Sequence, residues 1–405
     1  MKKLLALLVT LAFTAVFAQE VRITGYGGQD PAIVVRLLDE VIGPDLEAEG
    51  ITLKYEPLEG DYNPALFNQL SAGTAGDIFY IPGETAPGII ATGKVLPLDE
   101  AGVDTSAFIP SLLEPYTVDG KVYGIPKDFN TLALHYNKDL FDEAGVEYPN
   151  DEDTWETFAE KVRGVAALGG DVKGVCFPAG FDRFGAFAYA AGWQPFDAEG
   201  KTNLLDDKLK TAVTWYTDLV KEGVAVQPTD IGAGWTGDCL KSDNVGVAIE
   251  GAWILGFLRD NAPNLQYGTA KMPIGPSGSR GNFSFSVAYG LNADSANKEA
   301  AVKVLEALTS EKAQQWVLQQ GLAIPSRSAI ADNPYFAEET PEAMANKAVF
   351  EGASDGNVYG FQFGSVGLDW QTPINAALAA IMTGQKDVDT ALADAQTELD
   401  ALMSR

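Results

Sequence analysis

His135, Cys176 and Cys239 are the whole supply of imidazole and thiol in this 405-residue chain. One histidine and two distant cysteines cannot make a His-metal cluster. A Ser-His-Asp triad would have to use His135, which lies in an apolar run where alternation turns it toward a core or an interface. The sequence has no G-x-S-x-G, no phosphate-binding loop and no dinucleotide fingerprint, since Gly25, Gly27 and Gly28 lack the needed spacing. A glycoside hydrolase needs only two carboxylates across a sugar cleft, about 5 Å apart or about 6.5 to 9.5 Å apart. With 56 Asp and Glu in the chain, nothing singles out a pair.

Holding a sugar without cutting it calls for a different set of side chains. The C–H face of a pyranose packs on aromatic rings, while its hydroxyls need groups that both donate and accept. Tyr26, Trp193, Trp253, Phe363 and Trp370 are candidate platforms, and Glu59, Asp77, Asp128 and Gln362 candidate hydrogen-bonding partners. Gly251 would permit close backbone approach, and Arg327 could pair with a carboxylate. No cofactor and no bound metal are expected.

These residues need a scaffold, and the pattern predicts strands alternating with helices. Val21 to Gly25 reads as a strand, 31–49 as one amphipathic helix with Pro31 at its start, and Ile51 to Tyr55 as a second strand. Strand, helix, strand is the unit of a parallel sheet covered by helices. Ligands gather beyond the carboxyl ends of such strands, so the loops at Tyr26, Glu59 and Glu84 are expected along one edge. Asp77, at the start of its strand, belongs elsewhere by that rule. Asp119-Gly120 between short β-prone runs predicts a tight hairpin. Pro126, without an N–H, is expected to end that ribbon at Ile125, leaving Lys127-Asp128 on a crossing between two bodies of structure.

The stretch from the hairpin onward resembles the family 1 extracellular solute-binding proteins, the maltose-binding-protein-like sugar receptors of ABC importers. The matching residues are Asp119, Gly120, Lys121, Tyr123, Gly124, Ile125 and Pro126, then Tyr136, Asn137 and Lys138, then Ala144 and Gly145. Gly246, Val247, Ala248, Ile249, Gly251 and Trp253 fit the family's G-x-V-A-M and G-x-W, with Ile in place of Met. Pro325-Ser326-Arg327 fits its P-x-R. The resemblance implies an α/β, two-lobed periplasmic-binding-protein fold (type II), each lobe a mostly parallel sheet flanked by helices, with the ligand cleft between the lobes. It places residues 19–127 plus 265–323 in an N-terminal lobe and 128–264 plus 324–405 in a C-terminal lobe. It also draws Asp77 toward the cleft, and it implies a carbohydrate ligand, a di- or oligosaccharide, captured by hinge closure and passed to ABC permease subunits. A polyol or glycerol phosphate compound is the alternative ligand, and a secreted glycoside hydrolase the alternative class.

Bulk properties agree with a folded, exported chain. The composition is 46% hydrophobic and 21% charged, and the length is enough for two ordinary domains. Lys2-Lys3, the apolar run Leu4 to Phe17 and small residues ending at Ala18 read as a signal peptide over 1–18, too short to span a bilayer. No cysteine near that cleavage point supports a lipid anchor, so a periplasmic location is expected. In an oxidising compartment Cys176 and Cys239 either pair or stay as buried thiols. The net charge of −28 argues against the basic face that nucleic-acid binding requires, so no nucleic-acid partner is expected, and a monomer is expected.

Overall fold

The computed structural model describes residues 19–27, 30–320 and 323–404. The segment 1–18, expected from its sequence to be a signal peptide, and the loop residues Gly28 and Gln29 lie outside them.

Gln19–Tyr26 pairs in parallel with Ile51–Leu58, Tyr26 standing opposite Leu58, and also with Ile78–Pro82. The expected single helix between the first two strands is broken into Asp30–Arg36, a π-helical stretch Leu37–Ile42, and Gly43–Ala48. The Gly43 N–H reaches back five residues to Leu38 O, and Pro44, which has no N–H to offer, sits where the α-helical register restarts. Gly281–Asn292 runs antiparallel beside Ile78–Pro82, followed by Gly124–Asn130 and, at the edge, Ile324–Pro325. Val21, Ile23, Leu66, Ile78, Ile89 and Val304 fill the core of this first lobe.

The second sheet has the order Ala225–Val226, Lys173–Cys176, Val245–Glu250, Ala133–Asn137, Tyr267–Ala270. Its first three strands are mutually parallel, and antiparallel pairing enters with the last two. Phe158, Phe177, Tyr216, Val247, Ile249 and Ile374 are among the residues buried around it. Cys176 and Cys239 are joined in a disulfide within a small apolar cluster that includes Val226 and Val245. Among the described residues no helix is long and apolar enough to cross a membrane.

The hairpin Thr117–Val118/Lys121–Val122 turns through Asp119 (φ 50°) and Gly120 (φ 77°), the left-handed pair a two-residue loop needs. The crossings between lobes differ from the sequence expectation. Extended structure does not stop at Ile125, because the strand Gly124–Asn130 runs through Pro126. Pro126 faces Ala288 and Asp128 faces Val287, leaving Lys127 as the extra residue of a bulge, the kind of site that tolerates a proline in a sheet. The first crossing therefore falls at Thr131-Leu132. The side chain of Asn282 grips it there, accepting from Leu132 N and donating to Leu132 O, both at 2.8 Å.

The return expected at Leu265 is also overturned, since Tyr267–Ala270 pairs with Leu134 to Asn137 inside the second sheet. The long strand Gly281–Asn292 makes that crossing. Its first residues pair with Asn357–Gly360 and its last with Ile78–Pro82. The final crossing comes later than Ile324, because Ile324 and Pro325 pair with Phe129 and Asp128 and Arg327 bridges to Phe108 in the first lobe.

Candidate functional site

Three parallel strands of the first lobe end on one side, at Tyr26, Leu58 and Pro82. From the second lobe Val245–Glu250 ends at Gly251, opposite them. Where these ends meet the crossing strands there is a cavity of about 310 Å³. Tyr26 and Glu84 reach it from the first lobe, Trp253 from the second, and Lys127, Asp128, Asn130, Phe285, Ser286 and Phe361 from the crossings.

The rings are held in place. Tyr26 meets Tyr62 and Tyr80 edge to face, with centroids 4.7 and 5.2 Å apart, and its carbonyl accepts from the Tyr55 hydroxyl at 2.7 Å. Trp253 meets Phe285 edge to face at 5.5 Å, and Phe285 lies 4.8 Å from Phe361. Trp253 Nε1–H donates to Glu250 Oε2. The bulge turns Lys127 so that its ammonium pairs with Asp128 and sits 5.2 Å over the Tyr80 ring. Asn130 Oδ1 accepts from Ala252 N at 2.8 Å, tying the crossing to the loop that carries Trp253. Burial pushes the Glu84 carboxyl up to about 7, so near neutral pH it can offer a proton or accept one.

Of the residues singled out from the sequence, Tyr26, Asp128 and Trp253 line this cavity, and Gly251 adjoins it beneath the Trp253 ring. Glu59 is exposed, its carboxylate lying over Gly27 beside Tyr26. Gln362 lines a different hollow of about 430 Å³, together with Glu114, Ser284 and Phe350. The remaining candidates lie elsewhere. Trp193, Phe363 and Trp370 are buried in the second-lobe core, where Phe363 and Trp370 stack on each other 4.8 Å apart. The indole N–H groups of Trp193 and Trp370 are taken by Asn203 O and the Thr202 hydroxyl. Asp77, at the far end of its strand, accepts from Arg22 N and the Ser295 hydroxyl, as the strand-end rule predicts and against the family resemblance. Arg327 donates to Thr309 O and stacks over Phe108, not against a carboxylate across the cleft.

Glu84, Lys127, Asn130, Phe285, Ser286 and Phe361 were not singled out. Glu84 sat in a loop already expected at this edge. Asn130 lies two residues from Asp128 in a strand and so on the same face, a signal hidden by the expectation that the strand ended at Ile125. Nothing in the sequence marks Phe361 over Phe363.

His135, the lone imidazole, is fully buried. Its Nε2–H donates to Glu250 O and its Nδ1 accepts from the Thr269 hydroxyl, both at 3.1 Å, while burial pulls its pKa down to about 4. It is a neutral structural group, with both nitrogens occupied. Among the described residues no group of three or more His, Cys, Asp or Glu could hold a metal ion.

Comparison with known proteins agrees with this architecture. Residues 46–348 match the model of the family described as bacterial extracellular solute-binding protein. A putative binding protein of Brucella abortus is 27% identical over 373 residues, 89% of this chain and 88% of that protein. The galactooligosaccharide-binding protein of Bacillus subtilis is 24% identical over 341 residues, 79% of this chain and 75% of that one. These relatives are named as binding proteins, not enzymes. Among solved structures, an ABC substrate-binding protein from Listeria monocytogenes in complex with cycloalternan has the same fold. Its TM-score is 0.84 at 21% identity, over 95% of this chain and 99% of that one.

Proposed function

This chain belongs to the bacterial extracellular solute-binding proteins, and from that premise we propose that it captures a neutral di- or oligosaccharide between its lobes and delivers it to an ABC importer permease after export to the periplasm. The observation that carries the reading is the composition of the cavity: four aromatic rings, from Tyr26, Trp253, Phe285 and Phe361, interleaved with Glu84, Asp128, Asn130 and Ser286. Rings take the C–H faces of a sugar, and carboxylate, amide and hydroxyl groups answer its hydroxyls in both directions.

Charge favours a neutral ligand over a glycerol phosphate compound. The cavity's cation, Lys127, is already matched by Asp128, and Glu84 adds acidity, so a phosphate would meet no uncompensated positive charge. Hydrolysis would need two carboxylates free to act across the sugar, and Asp128 is engaged by Lys127. Binding shifts the lobes toward closure only as far as the ligand prefers the closed form.

The test is calorimetric titration and thermal shift with cycloalternan, galactotriose, maltotriose, mannitol and glycerophosphocholine, followed by chromatography of each mixture. Saturable binding of an intact saccharide, with a raised Tm, is expected. Stabilisation by glycerophosphocholine alone, or release of cleaved sugar, would replace the proposal with one of its alternatives.

A further inference from the structure

Several contacts converge on the Trp253 indole. Its Nε1–H donates to Glu250 Oε2 at 2.6 Å, and Arg183 donates to the same oxygen at 2.7 Å. The Arg183 guanidinium also lies 5.6 Å from the centre of the indole, and Phe285 abuts the ring edge to face. Gly251 completes the seat, since a Cβ there would stand 2.6 Å from the six-membered ring. The acceptor itself is fixed. Glu250 is 0% exposed, its carbonyl takes the His135 Nε2–H, and Arg183 is anchored a second time on Ile249 O at 3.1 Å.

A buried ion pair is a weak source of stability, because apolar side chains of similar volume often do as well once the loss of hydration is counted. What this pair supplies beyond stability is an immobile acceptor for one N–H. We propose that Glu250, set by Arg183, is a positioning residue that holds the Trp253 indole in its ligand-ready orientation before any ligand arrives. The proposal rests on the reading of Trp253 as a wall of the saccharide site. An indole left free to change rotamer would be ordered only on binding, which weakens affinity about three- to tenfold.

Single substitutions confound this role with folding, because removing one charge strands the other in the interior. Two neutral double variants separate the effects. Arg183→Met with Glu250→Met removes the acceptor, whereas Arg183→Met with Glu250→Gln keeps an amide oxygen in its place. Indole ¹H–¹⁵N spectra resolve the seven tryptophans, and Trp253→Phe assigns the relevant peak.

In the Met/Met variant that resonance is expected to move and to exchange faster with solvent, with the other six unchanged. Cycloalternan or galactotriose, whichever the parent protein binds, is expected to bind about three- to tenfold more weakly to it. The Met/Gln variant is expected to restore both properties. Equal Trp253 resonance, exchange and affinity in the two double variants would overturn the positioning role. Trp253→Ala tests the underlying reading separately: unchanged saccharide affinity there sinks the platform assignment, whereas lost affinity there with equal affinities in the double variants sinks only the role of Glu250.

Discussion

Glu84 is the residue whose charge state the cavity controls most directly. Burial raises its carboxyl from 4.5 to about 7, so the folded protein holds a proton there that the unfolded chain releases above about 4.5. Its contribution to stability is therefore full at acid pH and is lost as pH rises through about 7. Denaturant unfolding of Glu84→Gln against the parent should show this as a difference that grows in the variant's favour between pH 4.5 and 7 and then levels. A flat difference would mean that the carboxyl titrates normally. Trp253 and Trp370 make a second contrast. Trp253→Ala should weaken saccharide binding about tenfold or more at modest cost in stability, whereas Trp370→Ala should cost about 3–5 kcal/mol of folding stability by emptying a packed core site. Calorimetric titration and urea melts of the two variants check this. Their difference was not legible in the sequence, because an aromatic side chain carries the same signal whether its faces meet a cleft or, as with Trp370, the rings of Phe181 and Phe363.

Local elements were read more securely than the joints between them. The Asp119-Gly120 turn and the place of Tyr26 at the carboxyl end of the first strand both follow from short-range rules. The bulge at Lys127 did not, because it depends on a partner strand more than 150 residues away. The same distance in sequence hid the pairing of Tyr267–Ala270 with the strand of His135. The disulfide shows a long-range link of another kind. Cys176 ends one strand and Cys239 lies in the helix Thr236–Lys241, with a sequence separation of 63. Closing a loop of that length lowers the entropy of the unfolded chain, so Cys176→Ser with Cys239→Ser should lower stability by about 4 kcal/mol in the loop-entropy picture. Urea unfolding of the parent and the double variant checks the figure. A loss under about 1 kcal/mol would show that loop closure contributes little here.

At the scale of the molecule, the alternation of strands and helices predicted helix-covered parallel sheets and the length allowed two domains, while the two lobes themselves were implied by the family resemblance. Their borders were not legible, since a crossing looks like any other extended run until its partners are known. Two lobes that meet at crossing strands, and at a shared buried cluster that includes Leu112, Phe129, Ala248 and Leu255, should respond to ligand as near-rigid bodies. Small-angle scattering should give a smaller radius of gyration with a saturating saccharide than without, and an unchanged value at saturation would mean that the lobes do not move. The crossing strand Gly281–Asn292 has one more consequence, and it concerns time. It is the middle of the first sheet, yet it is made after the whole of the second-lobe strand Val245–Glu250, and the second core waits for Leu392 and Leu399. A growing chain therefore cannot complete either lobe until most of it exists. Such late, distant pairings make folding slow, and slow folding keeps a polypeptide threadable for longer after it leaves the ribosome.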